Sequence, residues 1–206
     1  MRPKIAVLDY GIGNLRSAQK GFERAGADAR LTSDPAEVSA ADGVVLPGVG
    51  NFGRCVEALE GHGIDVLAKD AAASGRPFLG ICVGMQLLFE GSEESPGRAG
   101  LAILPGMIRR LPETVKRPQM QWNALRVERE SALLEGLDGA WLYFVHSYAA
   151  DHVAAADITT ASCDYGGRVV AAVQQENVFA TQFHPEKSSD AGRALLTNFV
   201  NLCGAS

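Results

Sequence analysis

Cysteine is scarce in this sequence, and its few copies are far apart. The four cysteines are Cys55, Cys82, Cys163 and Cys203, and no two of them form a C-x-x-C pair. Zinc knuckles and redox-active dithiols need cysteines at close spacing, so neither is indicated. We therefore predict a protein that uses no metal, no cofactor and no disulfide.

Excess basic charge and long apolar runs are also lacking. The chain has 19 Lys and Arg against 24 Asp and Glu, which gives a formal charge of −5. Nucleic-acid binding needs a basic surface, and a membrane span needs about 18 or more consecutive apolar residues, so neither partner is expected. The start of the chain has no charged-then-apolar leader pattern. We expect a cytoplasmic protein that acts on a small molecule.

The first half of the chain alternates strand-like and helix-like segments. Apolar runs at residues 5–8, 44–46 and 78–81 predict strands, and residues 15–25 and 56–74 predict helices. This alternation is typical of an α/β fold with a central, mostly parallel sheet and helices on both faces. A single domain over residues 1–206 is long enough to bury a core. Ligands of such sheets bind beyond the carboxyl ends of the strands.

The second half has a different composition. Residues 91–100 are rich in glycine, proline and charge, and shorter strand-like runs follow at 107–111, 121–127 and 141–145. We expect these runs to be antiparallel additions to the sheet. Residues 190–202 predict a closing helix, with Ser188 or Ser189 as its N-cap.

Residues 80–84, with the sequence Gly-Ile-Cys-Val-Gly, predict a nucleophile at a sharp turn between a strand and a helix. Such a turn raises the side chain of Cys82 above the sheet, and the next backbone N–H faces developing negative charge. Gly80 and Gly84 leave room for the turn. A buried thiol beside a tight turn is the alternative for this segment alone.

His184 and Glu186 follow the apolar run 178–183. A nucleophilic cysteine needs an imidazole or a positive site to form its thiolate. In an extended segment, alternating side chains place Glu186 beside His184, where it orients the imidazole. We predict a Cys–His–Glu triad; a His-Pro turn with solvated charges is the alternative. His146 lacks a carboxylate two positions on and is interpreted as a structural imidazole.

Residues 47–50, Pro-Gly-Val-Gly, end another apolar run. Acyl transfer needs N–H donors where the oxyanion forms, and glycines on both sides of Val49 allow its peptide planes to be presented or flipped. The alternative is an ordinary Pro-Gly turn that leaves a strand.

Together these segments resemble the class I glutamine amidotransferases over essentially the whole chain, which implies a flavodoxin-like fold. Within that family the resemblance is to the glutaminase subunits of imidazole glycerol phosphate synthase. It rests on residues 9–14, 47–53, 80–86, 143–148 and 182–188, and on Met120 with Trp122 and Asn123.

The resemblance implies a role for each matching residue. Cys82 would attack the carboxamide of glutamine, His184 would shuttle the proton, and Glu186 would hold His184. The other implied roles fall in three groups: an oxyanion hole at Val49, Gly50 and Val83; glutamine binding by Gln86, Glu94, Ser147 and Tyr148; and a partner interface at Lys187, Trp122 and Asn123.

The resemblance also implies a partner. Ammonia from glutamine would pass to a (β/α)8-barrel cyclase subunit in a heterodimer that forms imidazole glycerol phosphate and AICAR in histidine biosynthesis. Two alternatives remain: the same hydrolase serving another synthase, such as that of the pyridoxal phosphate pathway, and a non-enzymatic flavodoxin-like module with a relic cysteine. Residues 9–14 and 143–148 disfavour the first, and an intact triad disfavours the second.

Some residues depart from the family pattern or match another. Gln119 and Gln121 stand where the family usually carries His and Gly, and Val83 replaces the more usual Leu. Gly11 and Gly13 have the spacing of a dinucleotide-binding loop, but Arg16 occupies the place of the third glycine, so no dinucleotide is expected. A basic cluster is interpreted as a solvated face or as a border of the partner's anionic substrate; it comprises Arg109, Arg110, Lys116 and Arg117.

Overall fold

The computed structural model describes residues 1–205. Its strands are β1 (Lys4–Leu8), β2 (Asp28–Thr32), β3 (Gly43–Gly48), β4 (Phe78–Cys82), β5 (Gly91–Ser92), β6 (Met107–Arg110), β7 (Gln119–Ala124), β8 (Arg126–Val127), β9 (Trp141–His146), β10 (Tyr148–Ala150), β11 (Thr159–Asp164), β12 (Arg168–Gln175) and β13 (Val178–Thr181). Its α-helices are α1 (Leu15–Arg24), α2 (Pro35–Ser39), α3 (Phe52–Gly61), α4 (Ile64–Ala73), α5 (Val83–Leu87) and α6 (Ser189–Gly204).

The main sheet has eight strands in the order β2-β1-β3-β4-β13-β12-β11-β8. Strands β2, β1, β3, β4 and β13 are parallel to one another, which confirms the predicted mostly parallel sheet. Every residue of β3 and β4 is buried. Strands covered on both faces read as continuous apolar runs, so these were the easiest to predict from the sequence.

Helices cover both faces of this sheet. The connection from β1 to β2 moves one way along the sheet, and the connection from β3 to β4 moves the other way. Because such crossovers are right-handed, α1 lies on one face and α3 and α4 lie on the opposite face. Helix α6 packs with α1, where the Phe22 and Phe199 rings are 5.7 Å apart between centroids.

The predicted helix over residues 56–74 is wrong in its extent, since two helices occupy this region. Helix α3 begins earlier, at Phe52, and ends at Gly61, and α4 begins at Ile64. Between them Gly63 has φ of +67°, a left-handed conformation that breaks the helical path. The Asn51 side chain caps α3 by accepting from the Arg54 N–H at 3.1 Å.

The main sheet does have antiparallel strands, but they are mostly not the segments that we predicted. Strand β6 joins a separate three-stranded sheet, and β7 and β9 form a two-stranded sheet of their own; in residues 121–127 only β8 reaches the main sheet. The principal antiparallel additions are β12 and β11, which the sequence analysis did not identify. No helix within residues 1–205 is both long and apolar enough to cross a membrane.

Candidate active site

Cys82 lies at the junction of β4 and α5 with φ of 56° and ψ of −113°. A residue with a side chain in this left-handed region costs about 1–3 kcal/mol of strain, and such strain is characteristic of functional turns. A Cβ added at Gly84 would overlap the Leu46 carbonyl oxygen, so only glycine fits there. The predicted sharp turn between strand and helix is therefore confirmed.

His184 and Glu186 are brought to Cys82 as the sequence predicts. The His184 Nδ1 atom lies 2.8 Å from Glu186 Oε1, and the two side chains are 2% and 5% exposed. Burial alone would lower the pKa of His184, but hydrogen bonds with Cys82 and Glu186 outweigh burial and raise that pKa above its ordinary value. The imidazole is thus held between a thiol and a carboxylate.

The backbone that presents this pair is a turn and not the extended segment we predicted. Strand β13 ends at Thr181, and Pro185–Lys187 form a 3-10 helix. The reason given from strand alternation is therefore wrong, although the contact between the two side chains is present. One tight turn, and not a strand, places the carboxylate two positions on next to the imidazole.

Ser188 connects this turn to strand β9 by hydrogen bonds. Its hydroxyl donates to the His184 carbonyl at 2.6 Å and accepts from the Tyr143 N–H at 2.9 Å. The Tyr143 carbonyl in turn accepts from the His184 N–H at 3.0 Å. Ser188 does precede α6 as its N-cap residue, but its side chain makes no capping bond, so the predicted capping function is wrong.

Gln182 contributes to the site, although no role was predicted for it from the sequence. Its side-chain Nε2 donates to the Cys82 sulfur at 3.9 Å, and its Oε1 accepts from Gln86 Nε2 at 3.0 Å. Gln86 Nε2 also donates to the Tyr148 carbonyl at 2.9 Å. The signal that could have identified Gln182 is a polar residue inside an apolar run that leads to His184.

A cavity of about 320 Å³ opens at Cys82. It lies at the carboxyl ends of the parallel strands, as predicted, because Gly48 of β3 and Cys82 of β4 are register partners. Its lining comprises Val49, Gly50, Cys82, Val83, Gln86, Glu94, Pro118, Val145, His146, Ser147, Tyr148, His184 and Lys187. The structure thus gathers the predicted nucleophile, base, oxyanion-hole and glutamine-binding residues around one space.

Two further polar side chains of the cavity have hydrogen-bond partners. Glu94 Oε2 accepts from the Phe52 N–H at 2.7 Å, at the start of α3. His146 Nδ1 donates to the Tyr148 carbonyl at 2.9 Å, but its Nε2 is buried without a hydrogen-bond partner. Burial lowers the pKa of His146 to about 4. His146 is thus neutral near pH 7, and only one of its nitrogens has the structural role that we predicted.

The three predicted interface residues differ in their exposure and in their contacts within the chain. Lys187 is exposed and lines the cavity rim. Trp122 is 43% exposed and packs edge-on against Tyr143. Asn123 is engaged inside the molecule, since its Nδ2 donates to the Asp164 carbonyl at 2.8 Å and its Oδ1 accepts from its neighbour's N–H.

Two of the four residues of the basic cluster have side-chain partners within the molecule. Arg109 forms ion pairs with Glu93 at 3.0 Å and Asp151 at 3.3 Å, and Arg117 donates to the Leu111 carbonyl at 3.1 Å. These contacts favour the solvated-face interpretation. Within the described residues, no group of three or more His, Cys, Asp or Glu side chains is arranged to hold a metal ion.

Comparison with known proteins decides the family. The family model "Glutamine amidotransferase class-I" matches residues 6–202. The chain belongs to the class I glutamine amidotransferases. The resemblance inferred from the sequence is confirmed.

Similar members of this family have names that carry more detail. The imidazole glycerol phosphate synthase subunit HisH of Methanothermobacter thermautotrophicus is 48% identical over 201 residues, which cover 98% of this chain and 100% of that protein. The subunit of the same name from Bacillus cereus is 48% identical over 202 residues, which cover 98% and 96%.

Solved structures with low sequence identity to this chain support the fold. A crystal structure described as a glutamine amidotransferase matches with a TM-score of 0.77 at 21% identity, covering 97% of this chain and 98% of that one. A chain of PurLQS from Thermotoga maritima matches with a TM-score of 0.78 at 20% identity, covering 98% and 99%.

Proposed function

We propose that this chain is the glutaminase subunit of an imidazole glycerol phosphate synthase, which hydrolyses glutamine and delivers the ammonia to a synthase subunit in histidine biosynthesis. The observation that carries the chemistry is the arrangement at the turn: Cys82 and His184 border the same cavity, and His184 Nδ1 lies 2.8 Å from Glu186 Oε1. Its relatives named HisH, at 48% identity over nearly the whole chain, support the assignment to this synthase.

The site supports a two-step acyl transfer. The Cys82 thiolate attacks the carboxamide carbon of glutamine, and the tetrahedral oxyanion is held by the N–H of Val83 and an N–H of the Val49–Gly50 segment. His184 gives its proton to the leaving nitrogen, so ammonia departs and a thioester remains. A water molecule, deprotonated by His184, then attacks the thioester, which releases glutamate and regenerates Cys82.

Glutamine is positioned by the polar lining of the cavity. The Glu94 carboxylate suits the α-ammonium group, and the backbone of Ser147 and Tyr148 suits the α-carboxylate. Gln86 helps to position the cavity lining, since its side-chain Nε2 donates hydrogen bonds to both the Tyr148 carbonyl and Gln182. A space of about 320 Å³ bordered by these groups accommodates one small amino acid.

The partner is a (β/α)8-barrel cyclase subunit, docked over the mouth of the cavity in a heterodimer. Free ammonia in neutral water is mostly protonated and is then no longer a nucleophile, so the two active sites must share a sheltered path. Lys187 at the rim and the exposed Trp122 are the side chains proposed to contact the barrel.

The first test replaces the nucleophile. In the complex with the cyclase subunit, Cys82→Ala should lower glutamine-dependent turnover by at least about 10³-fold, because no thioester can form. Synthesis driven by added ammonium salt should stay within about twofold, since the acceptor chemistry belongs to the other subunit. Cys203→Ala, which removes a buried thiol beside Gly43 at the start of β3, the end of the strand opposite the site, is the matched control. Near-normal glutamine turnover by Cys82→Ala would remove Cys82 from the mechanism.

A further inference from the structure

A second buried thiol, Cys55 in α3, lies against the oxyanion segment. Its sulfur donates to the Val49 carbonyl at 3.4 Å. Cys55 is fully buried and does not line the cavity, so neither substrate nor solvent competes for this contact. Burial raises the pKa of Cys55 to about 11, which keeps the group a neutral S–H donor.

Tyr10 makes the matching contact two residues earlier on the same segment. Its hydroxyl, at the carboxyl end of β1, donates to the Pro47 carbonyl at 2.7 Å. Tyr10 is also fully buried, and its side chain interacts with that of Cys55. Carbonyls of alternate residues in an extended segment point the same way. Tyr10 and Cys55 therefore hold one side of the segment, the side away from Cys82.

The orientation of the Val49 carbonyl fixes the direction of the next N–H. In a trans peptide the C=O and the N–H point in opposite directions, so the Gly50 N–H points away from the Cys55 sulfur. The opposite side is the one that faces the nucleophile, because β3 lies between β1 and β4 and Gly48 of β3 is the register partner of Cys82. Gly50 itself lines the Cys82 cavity.

We infer that Cys55, supported by Tyr10, is a positioning residue that holds the Val49–Gly50 peptide with its N–H directed into the oxyanion hole. Gly50 has φ of +91°, a conformation that allows the segment to turn at this point, so the peptide needs an external restraint. The Cys55 thiol supplies this restraint by donating a hydrogen bond to the Val49 carbonyl, which would otherwise be free to rotate toward Cys82. This inference rests on the proposed role of Cys82.

The test compares Cys55→Ala with Cys55→Ser in the complex with the cyclase subunit. Loss of an oxyanion donor lowers kcat by about 10²–10³-fold, and loss of its restraint should lower kcat by part of this, about tenfold. The KM for glutamine should stay within about twofold, because the ground-state carboxamide makes little use of the hole. Serine keeps a donor and should recover most of the lost kcat. Cys203→Ala is the control for loss of a buried thiol.

Two further measurements separate positioning from general damage. Glutamate γ-semialdehyde forms a thiohemiacetal oxyanion on Cys82, so its inhibition of Cys55→Ala should weaken about as much as kcat falls. Alkylation of Cys82 by iodoacetamide needs no oxyanion hole and should keep its rate. Tyr10→Phe should act in the same direction, and its effect should be non-additive with Cys55→Ala.

The outcomes distinguish the possible failures. A Cys55→Ala enzyme with normal kcat and normal aldehyde inhibition overturns the positioning role while leaving the proposed function intact. Equal losses of kcat, Cys82 alkylation and folded protein would show a structural role only. A wild-type complex that does not hydrolyse glutamine would instead contradict the proposed function.

Discussion

At the scale of single residues, the site depends on groups whose ordinary properties are changed by their neighbours. Cys82 has a backbone conformation that residues with side chains rarely adopt, and Gly80 and Gly84 flank it in the chain. His184 is nearly fully buried, yet its hydrogen bonds favour the protonated form. His146, in the same cavity, has the opposite shift because burial dominates. Two histidines of one cavity are thus suited to different tasks.

This difference predicts unequal effects of histidine substitution. His184→Ala should lower kcat/KM for glutamine by about 10²–10⁴-fold, because the proton shuttle is lost. Glu186→Gln should lose less, since an amide can still orient the imidazole although it no longer stabilises the cation. Steady-state glutaminase kinetics of the complex measure both, with exposed His62→Ala as the control. An unchanged His184→Ala enzyme would shift the role of base to His146.

At the scale of elements, one carboxylate forms hydrogen bonds with two neighbouring strands at the antiparallel edge of the main sheet. Glu128 follows β8, and it accepts from Ser162 of β11 at 2.6 Å and from Arg168 of β12 at 2.9 Å. These contacts, Arg168 first, lower the pKa of Glu128 to about 2. One side chain therefore links the last three strands of the sheet.

The lowered pKa gives a pH-dependent contribution to stability. A carboxyl with a folded-state pKa below its unfolded value stabilises the protein above the unfolded pKa, near 4.3, and this is lost as pH falls toward about 2. At pH 7, Glu128→Gln should lower the free energy of unfolding by about 1 kcal/mol, because solvent screens this partly exposed pair.

Urea unfolding of the wild type and the Glu128→Gln variant at several pH values measures this contribution. The difference between them should shrink steadily below about pH 5. Exposed Glu130→Gln serves as the control and should match the wild type. A difference that persists unchanged down to about pH 2 would assign the effect to packing and not to the charge.

At the scale of the whole molecule, the exposed rim of the cavity is the proposed connection between two active sites. Lys187→Ala should leave glutamine chemistry intact but weaken its stimulation by the cyclase ligand. Trp122→Ala should let ammonia escape, because a rigid aromatic side chain is lost beside Tyr143. The measurement is glutamine hydrolysed per imidazole product in the complex, with exposed Lys69→Ala on α4 as the control. A one-to-one ratio and full stimulation in both variants would remove both residues from the coupling.

The short motifs of this chain could be predicted from the sequence because their chemistry and their backbone demands are local. Glycines around Cys82 specify its turn. His184 and Glu186 are two positions apart in the chain, so their contact was predicted correctly although the backbone conformation between them was not. The parallel strands β1, β3 and β4 were also predictable from short segments, because strands buried on both faces have continuous apolar sequences.

Only the tertiary structure decided which distant residues serve the site. Sequence patterns predict strands but not their neighbours, so β7 and β9 were assigned to the wrong sheet; β11 and β12 were not predicted as strands at all. The contact of Cys55 with Val49 has no signature in the chain, and the polar Gln182 in its apolar run does not reveal Cys82 as its partner, because both contacts depend on how separate elements pack. Local sequence determines a reactive residue and its turn, whereas its supporting contacts arise from long-range packing, which no short window of sequence encodes.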